Sequence, residues 1–88
     1  VRAKFVKTVT VTAENVRFLW KVHGTKAGVT FSTHVVTSSA TWGSFNETVA
    51  FWADENGRVL DWRGINWVAG PHHVECLLDA GFEVIGLE

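Results

Sequence analysis

The chain has 88 residues, 47% of them hydrophobic, and a formal charge of −1 from eight basic and nine acidic side chains, which describes one folding domain rather than a disordered segment. The near balance of charge removes the basic footprint on which nucleic-acid affinity mostly rests, so nucleic acid is an unlikely partner. No apolar run approaches the ~18 residues of a membrane helix, Val1-Arg2-Ala3-Lys4 lacks a signal-type apolar run, and the lone Cys76 excludes an intramolecular disulfide, so a reducing, cytoplasmic setting is expected.

Residues 2–12 alternate, with Ala3, Phe5, Val9 and Val11 on one face and Arg2, Lys4, Thr8, Thr10 and Thr12 on the other, which predicts a strand. Residues 12–24 carry two patterns. Thr12 as N-cap, Glu14 in a first turn, Lys21 and His23 in a last turn and Gly24 as stop describe a helix, with Val16, Leu19, Trp20 and His23 on one side. Val16, Phe18, Trp20 and Val22 at period two describe a strand. The caps at both ends favour the helix.

Gly24 to Gly28 reads as a turn and Val29 to Val36 as a strand. Thr37 to Asn46, small and polar except for Trp42 and Phe45, reads as the longest loop. Residues 47–53 and 58–62 are strand-like runs around Asp54-Glu55-Asn56-Gly57, whose Asn-Gly pair supplies the positive φ a tight hairpin needs. Arg63 to Gly70 is irregular. Pro71 then opens a helix with Val74, Leu77 and Leu78 as its apolar stripe, Gly81 stops it, and residues 82–87 form a last strand. The order β-α-β-β-β-α-β predicts an α+β domain over residues 1–88: a mostly antiparallel sheet with one or two helices on one face, on a ferredoxin-like plan. A β-rich sheet carrying only the C-terminal helix is the alternative.

His72, His73 and Cys76 are the one cluster of metal-ligand types, and His72 and Cys76 are four apart on a helix. Zinc sites usually announce themselves by paired Cys/His spacings, and His23 and His34 lie far off, so a helix start with exposed histidines and a packed cysteine is the better reading, with a small metal- or ligand-binding protein using His72, His73 and Cys76 as the alternative function. Cys76 as a nucleophile is opposed by Glu75 and Asp79 beside it. Asp54 and Glu55 are accounted for by turn chemistry, Asp61 and Asp79 have no partner in sequence, and the glycines make no phosphate-binding spacing. No catalytic residue and no cofactor are indicated, and the chain reads as a non-enzyme.

Five tryptophans and six phenylalanines remain, more ring than so small a core hides completely. Phe51 and Trp52 are consecutive on a strand and point to opposite faces, so with Phe51 in the core Trp52 faces outward, where Trp62 across the hairpin can pair with it. Trp42, Trp52, Trp62 and Trp67, with Arg63, therefore form the candidate binding surface, for another protein or a second copy of this chain. The competing account is that the loops fold back and these rings make a second small core.

The hairpin segment Glu47-Thr-Val-Ala-Phe-Trp-Ala-Asp-Glu-Asn-Gly-Arg-Val-Leu-Asp-Trp62 resembles one found in small uncharacterised proteins of actinobacterial viruses. The resemblance covers 16 of 88 residues. It implies a compact accessory protein of viral type, and it carries no activity and no site residues with it.

Overall fold

The computed structural model describes residues 1–42 and 45–86, with the side chains of Trp42 and Phe45 outside the description. Six strands, β1 (Arg2–Val11), β2 (Asn15–Lys26), β3 (Val29–Trp42), β4 (Phe45–Ala53), β5 (Asn66–Ala69) and β6 (Glu83–Ile85), form one sheet in the order β5-β4-β3-β2-β1-β6. A seven-residue helix, α1 (His73–Asp79), lies on one of its faces. All neighbours are antiparallel except β1 and β6, and the sheet curls toward a half-barrel.

The ferredoxin-like α+β arrangement is thus overturned: the chain is mostly sheet, and the first expected helix is strand β2. Thr12 does what an N-cap does, its Oγ1 accepting the N–H of Asn15 three residues on at 2.9 Å, but the contact closes a tight β1–β2 turn. Gly24 does not stop a helix. It faces Phe31 across the β2–β3 pair, and a Cβ there would sit 2.8 Å from the Phe31 ring. The turn lies further on, at Ala27-Gly28, both with positive φ.

The expected loop over 37–46 is also corrected: β3 continues through Trp42 and pairs with β4. Its small polar residues are strand residues with buried work to do. Thr37 and Thr48 are fully buried, and Thr48 Oγ1 donates to the Gly70 carbonyl at 2.7 Å while accepting the His72 N–H at 3.1 Å.

The 47–62 hairpin turns where expected. Asp54 Oδ1 accepts the N–H groups of Asn56 and Arg58, each at 2.9 Å, and Gly57 takes φ +86°. The return run is shorter than its sequence suggests. It makes one bridge, Val59 to Ala53, and a Leu60 N–H to Trp52 carbonyl bond of 2.8 Å. The chain then leaves the sheet, re-enters with Ile65 N–H on the Ala50 carbonyl at 2.7 Å, and pairs as β5, the segment read as irregular.

Both faces of the sheet are covered. On the helix side Ala3, Trp20, Val22, Val35 and Ala50 pack with Cys76 and Leu77 of α1 and with Phe82. On the other side Leu19, Val36 and Ala53 form a smaller core. The 54–64 segment lies over it, Gly57 near Val9 and Val36, Gly64 near Val49 and Phe51. The β2–β3 hairpin runs past the ends of β1 and β4 as a two-stranded arm, so the molecule is 45 Å long and 24–27 Å across.

Candidate functional site

Strand alternation assigns the rings to faces. Leu19, Val36 and Phe51 are cross-strand neighbours, and so are Arg17, Ser38, Val49 and Trp67, one row along on the same face. Trp52 is one residue from Phe51, lands on the helix side, and meets Phe82 at a ring separation of 6.3 Å. The expected parity holds but the faces are exchanged: Trp52 belongs to the core against α1, and Phe51 faces the side away from the helix. The Trp52–Trp62 couple is accordingly not formed. Trp62 packs edge-on against Phe51, ring centroids 5.3 Å apart and planes at 62°.

Trp62 is placed there by the excursion between Leu60 and Ile65. Asp61 organises it, accepting the Arg63 N–H at 3.0 Å and pairing with the Arg63 guanidinium at 2.9 Å. The Arg63 side chain holds the Asp61 carboxyl below its usual range. Gly64 ends the excursion at φ +78°, with Val49 too close for a side chain to fit easily. Trp62 remains 66% exposed and Trp67 61% exposed on the same face, large indoles of the kind that dominate binding surfaces. Arg63 pairs with Asp61 while its side chain stays exposed, and the Trp42 side chain lies outside the described residues.

Between Trp62 and the strands is a concave pocket of about 450 Å³, within the range of ligand-sized sites. Phe51, Val49, Ala40 and Trp62 give it apolar walls; Glu14, Asn15, Arg17, Ser38, Thr41 and Glu47 give it polar ones. The Asn15 amide donates to Ser38 Oγ and the Ser39 carbonyl, both at 2.9 Å, and Thr41 Oγ1 donates to Asn46 Oδ1 at 2.7 Å. Arg17 differs: its Nε is closed off from solvent and has no acceptor. Among the described residues the ion pairs are Arg2–Glu83 and Arg63–Asp61, so Arg17, Glu14 and Glu47 face the pocket without a charged partner. Neither Arg17 nor the two glutamates stood out in the sequence. The signal available was a charged residue at an inward period-two position of a strand.

The His72, His73 and Cys76 cluster does not assemble. His72 is exposed, whereas His73, expected at the surface, is buried. Its Nδ1 and Thr37 Oγ1 are hydrogen-bonded at 2.7 Å, the same oxygen accepts the Trp20 indole N–H at 2.8 Å, and Phe18 stacks on the imidazole at 4.2 Å. Burial pushes the His73 pKa down to about 4, so the ring is neutral near pH 7. Cys76 is fully buried beneath α1, and burial pushes its thiol up to about 11, which leaves it protonated and a poor nucleophile at neutral pH. Among the described residues no group of three or more His, Cys, Asp or Glu side chains is placed to hold a metal ion. None of the described helices is long and apolar enough to cross a membrane.

Comparison with protein-family models, with curated proteins and with solved structures finds no match to this chain.

Proposed function

We propose that this chain is a binding domain without chemistry of its own, and that it holds another protein against the sheet face opposite α1. One observation carries the reading: Trp62 and Trp67 stand largely exposed on one face, beside a concave pocket, while the interior is filled by other rings. Packing does not account for two indoles left in water, and recognition does. Of the four-ring surface expected from the sequence, Trp62 and Trp67 carry the proposal and Trp52 leaves it. A compact accessory protein of a viral type, working in a reducing compartment where a free Cys76 persists, fits the same reading.

The experiment is capture by the immobilised protein beside a Trp62→Ala/Trp67→Ala double variant of unchanged melting temperature. A protein bound in stoichiometric amount by the native chain and lost with the variant is the expected result. Equal capture by both chains overturns the proposal. Concentration-dependent sedimentation, abolished by the same variant, would identify the partner as a second copy.

A further inference from the structure

The sheet ends on two unlike edges. At one, β6 covers Arg2 to Lys4 of β1, and beyond it β1 is broken by register shifts between Phe5 and Lys7 and between Thr8 and Thr10, with Lys7 between them. Lysines, bulges and a covering strand are the usual devices that keep an edge from pairing with another chain. The opposite edge, β5, has none of them. Asn66-Trp67-Val68-Ala69 carries no charge, no proline and no register shift.

Period two decides which backbone groups of β5 are open. Gly70 donates its N–H to the Asn46 carbonyl at 3.0 Å, and in the same register Asn66 and Val68 bond β4 as well. Trp67 and Ala69 therefore turn their N–H and C=O groups outward, and these have no partner among the described residues. The open row stops at both ends. The Ile65 N–H is used on the Ala50 carbonyl at 2.7 Å, and Pro71 has no N–H. Two donors and two acceptors remain, on residues 67 and 69.

That set is complementary to itself. In an antiparallel pair about a two-fold axis at Val68, Trp67 of each copy lies opposite Ala69 of the other, and all the open groups are used. Sliding the register by two residues sets Trp67 against Pro71 or Ala69 against Ile65, where the donor is missing or spent. The side chains agree with the backbone. Trp67, 61% exposed, and Ala69, also exposed, project on the face away from α1, so the largest residue meets a small one. The two Trp67 residues become diagonal neighbours ~7–8 Å apart, within reach of each other's rings. A foreign strand would have to bring its own small residue opposite Trp67, and this chain already carries one.

We propose that β5 is a dimerisation edge whose occupant is β5 of a second copy of this chain, paired antiparallel with Trp67 opposite Ala69. The two six-stranded sheets then run on as one, with both α1 helices on one side and Trp62 and Trp67 of both copies on the other. This rests on the reading of the aromatic face for the role of Trp67, and it names the partner that covers that ring. Four hydrogen bonds and two indoles make a contact below the ~1,200 Å² of stable complexes, so a dissociation constant of about 100 µM is expected.

The test is sedimentation equilibrium of the full chain from about 5 to 500 µM, with amide hydrogen exchange at both ends of that range. The mass should rise toward that of a dimer. At the high end the Trp67 and Ala69 amides should exchange about threefold more slowly, while Val68, bonded to β4 in either state, changes little. Ala69→Pro removes one outward donor per copy at an edge position that tolerates proline, keeps both tryptophans, and should weaken the dimer by at least about tenfold. A monomer throughout the range overturns the proposal. So does a dimer whose Trp67 and Ala69 amides gain no protection, or one that Ala69→Pro leaves at full strength. Failure of the edge and failure of the face are distinguishable. A monomeric chain that captures a different protein, and loses it in Trp62→Ala/Trp67→Ala, refutes the edge and leaves the aromatic face standing. A dimer protected at 67 and 69 that is as tight in Trp62→Ala/Trp67→Ala refutes the face and leaves the backbone pairing.

Discussion

Acidification should destabilise this protein between pH 6.5 and pH 4 through one side chain, His73. In the unfolded chain its imidazole protonates near 6.5, whereas in the folded protein burial holds it neutral down to about 4. Across that window the unfolded state binds a proton that the native state does not, so stability falls as pH falls, at ~1.4 kcal/mol per pH unit. Over the whole window the loss is about 3 kcal/mol, a large share of the ~5–15 kcal/mol that separates folded from unfolded domains. Asp54 and Asp61, whose carboxyls are held below 3.8 by the Arg58 N–H and by Arg63, lose their contributions only at lower pH and leave the window clear. The assay is urea unfolding at half-unit pH steps from 7.5 to about 4.5, beside His73→Asn, which offers Thr37 an acceptor that does not titrate. The native midpoint should drop by about 1–2 M urea over that range, and the variant should be less stable but flat with pH. A slope that survives in His73→Asn refutes the reasoning, as does an imidazole titration of the folded protein centred near 6.5.

Other outcomes follow from the same geometry. Trp52→Ala opens the core against Phe82 and should cost about 3 kcal/mol, whereas Trp62→Ala should cost no more than about 1 kcal/mol; thermal melting of both variants checks the ranking. The Cys76 thiol should resist alkylation by iodoacetamide at pH 8 until the protein is unfolded in urea, and prompt labelling of the native protein would contradict its burial. Because its thiol stays protonated to about 11 when folded but ionises near 9.0 when unfolded, stability should fall as pH rises from 9 to 11, and Cys76→Ala should remove that slope. Gly57→Ala forces a side chain into φ +86° with Val9 3.1 Å away, and should cost more than about 1 kcal/mol in denaturant unfolding.

Where the sequence carried one period and one set of stop signals, it was readable. The first part of β3, the Asp54–Gly57 turn and the Leu77-bearing helix follow from alternation, an Asn-Gly pair or an apolar stripe; β1 is the strand its alternation predicts, but register shifts between Phe5 and Lys7 and between Thr8 and Thr10 carry Val9 to the face opposite Ala3. β2 was misread because Thr12 bonds the N–H three residues ahead whether a helix or a hairpin follows. Its period-two pattern was real but looked imperfect, since Leu19 and Arg17 are half-buried or buried on the face that should have been polar. That face is covered by a segment arriving 35 or more residues later, and no local pattern encodes it. The extension of β3 was hidden for a related reason: Thr37 looks like a loop residue until Trp20 and His73 converge on its hydroxyl. The exchange of Phe51 and Trp52 has the same origin. Alternation fixes that they differ, and only the location of α1 decides which is inside. The candidate site was therefore half legible, its rings visible by composition and its Arg17 floor invisible without the sheet register.

The excursion that carries Trp62 hangs between two pinned points, Leu60 on the Trp52 carbonyl and Ile65 on the Ala50 carbonyl. β4 runs on unbroken beneath it, so its length and sequence are decoupled from the register of the sheet. A lineage, or an engineer, can lengthen it, shorten it or exchange its ring with little effect on folding. The β2–β3–β4 floor would keep its shape while the selectivity of the face changed. Divergence among relatives of this protein should accordingly concentrate between residues 61 and 64, with positions 50 and 52 keeping residues that let the backbone pair.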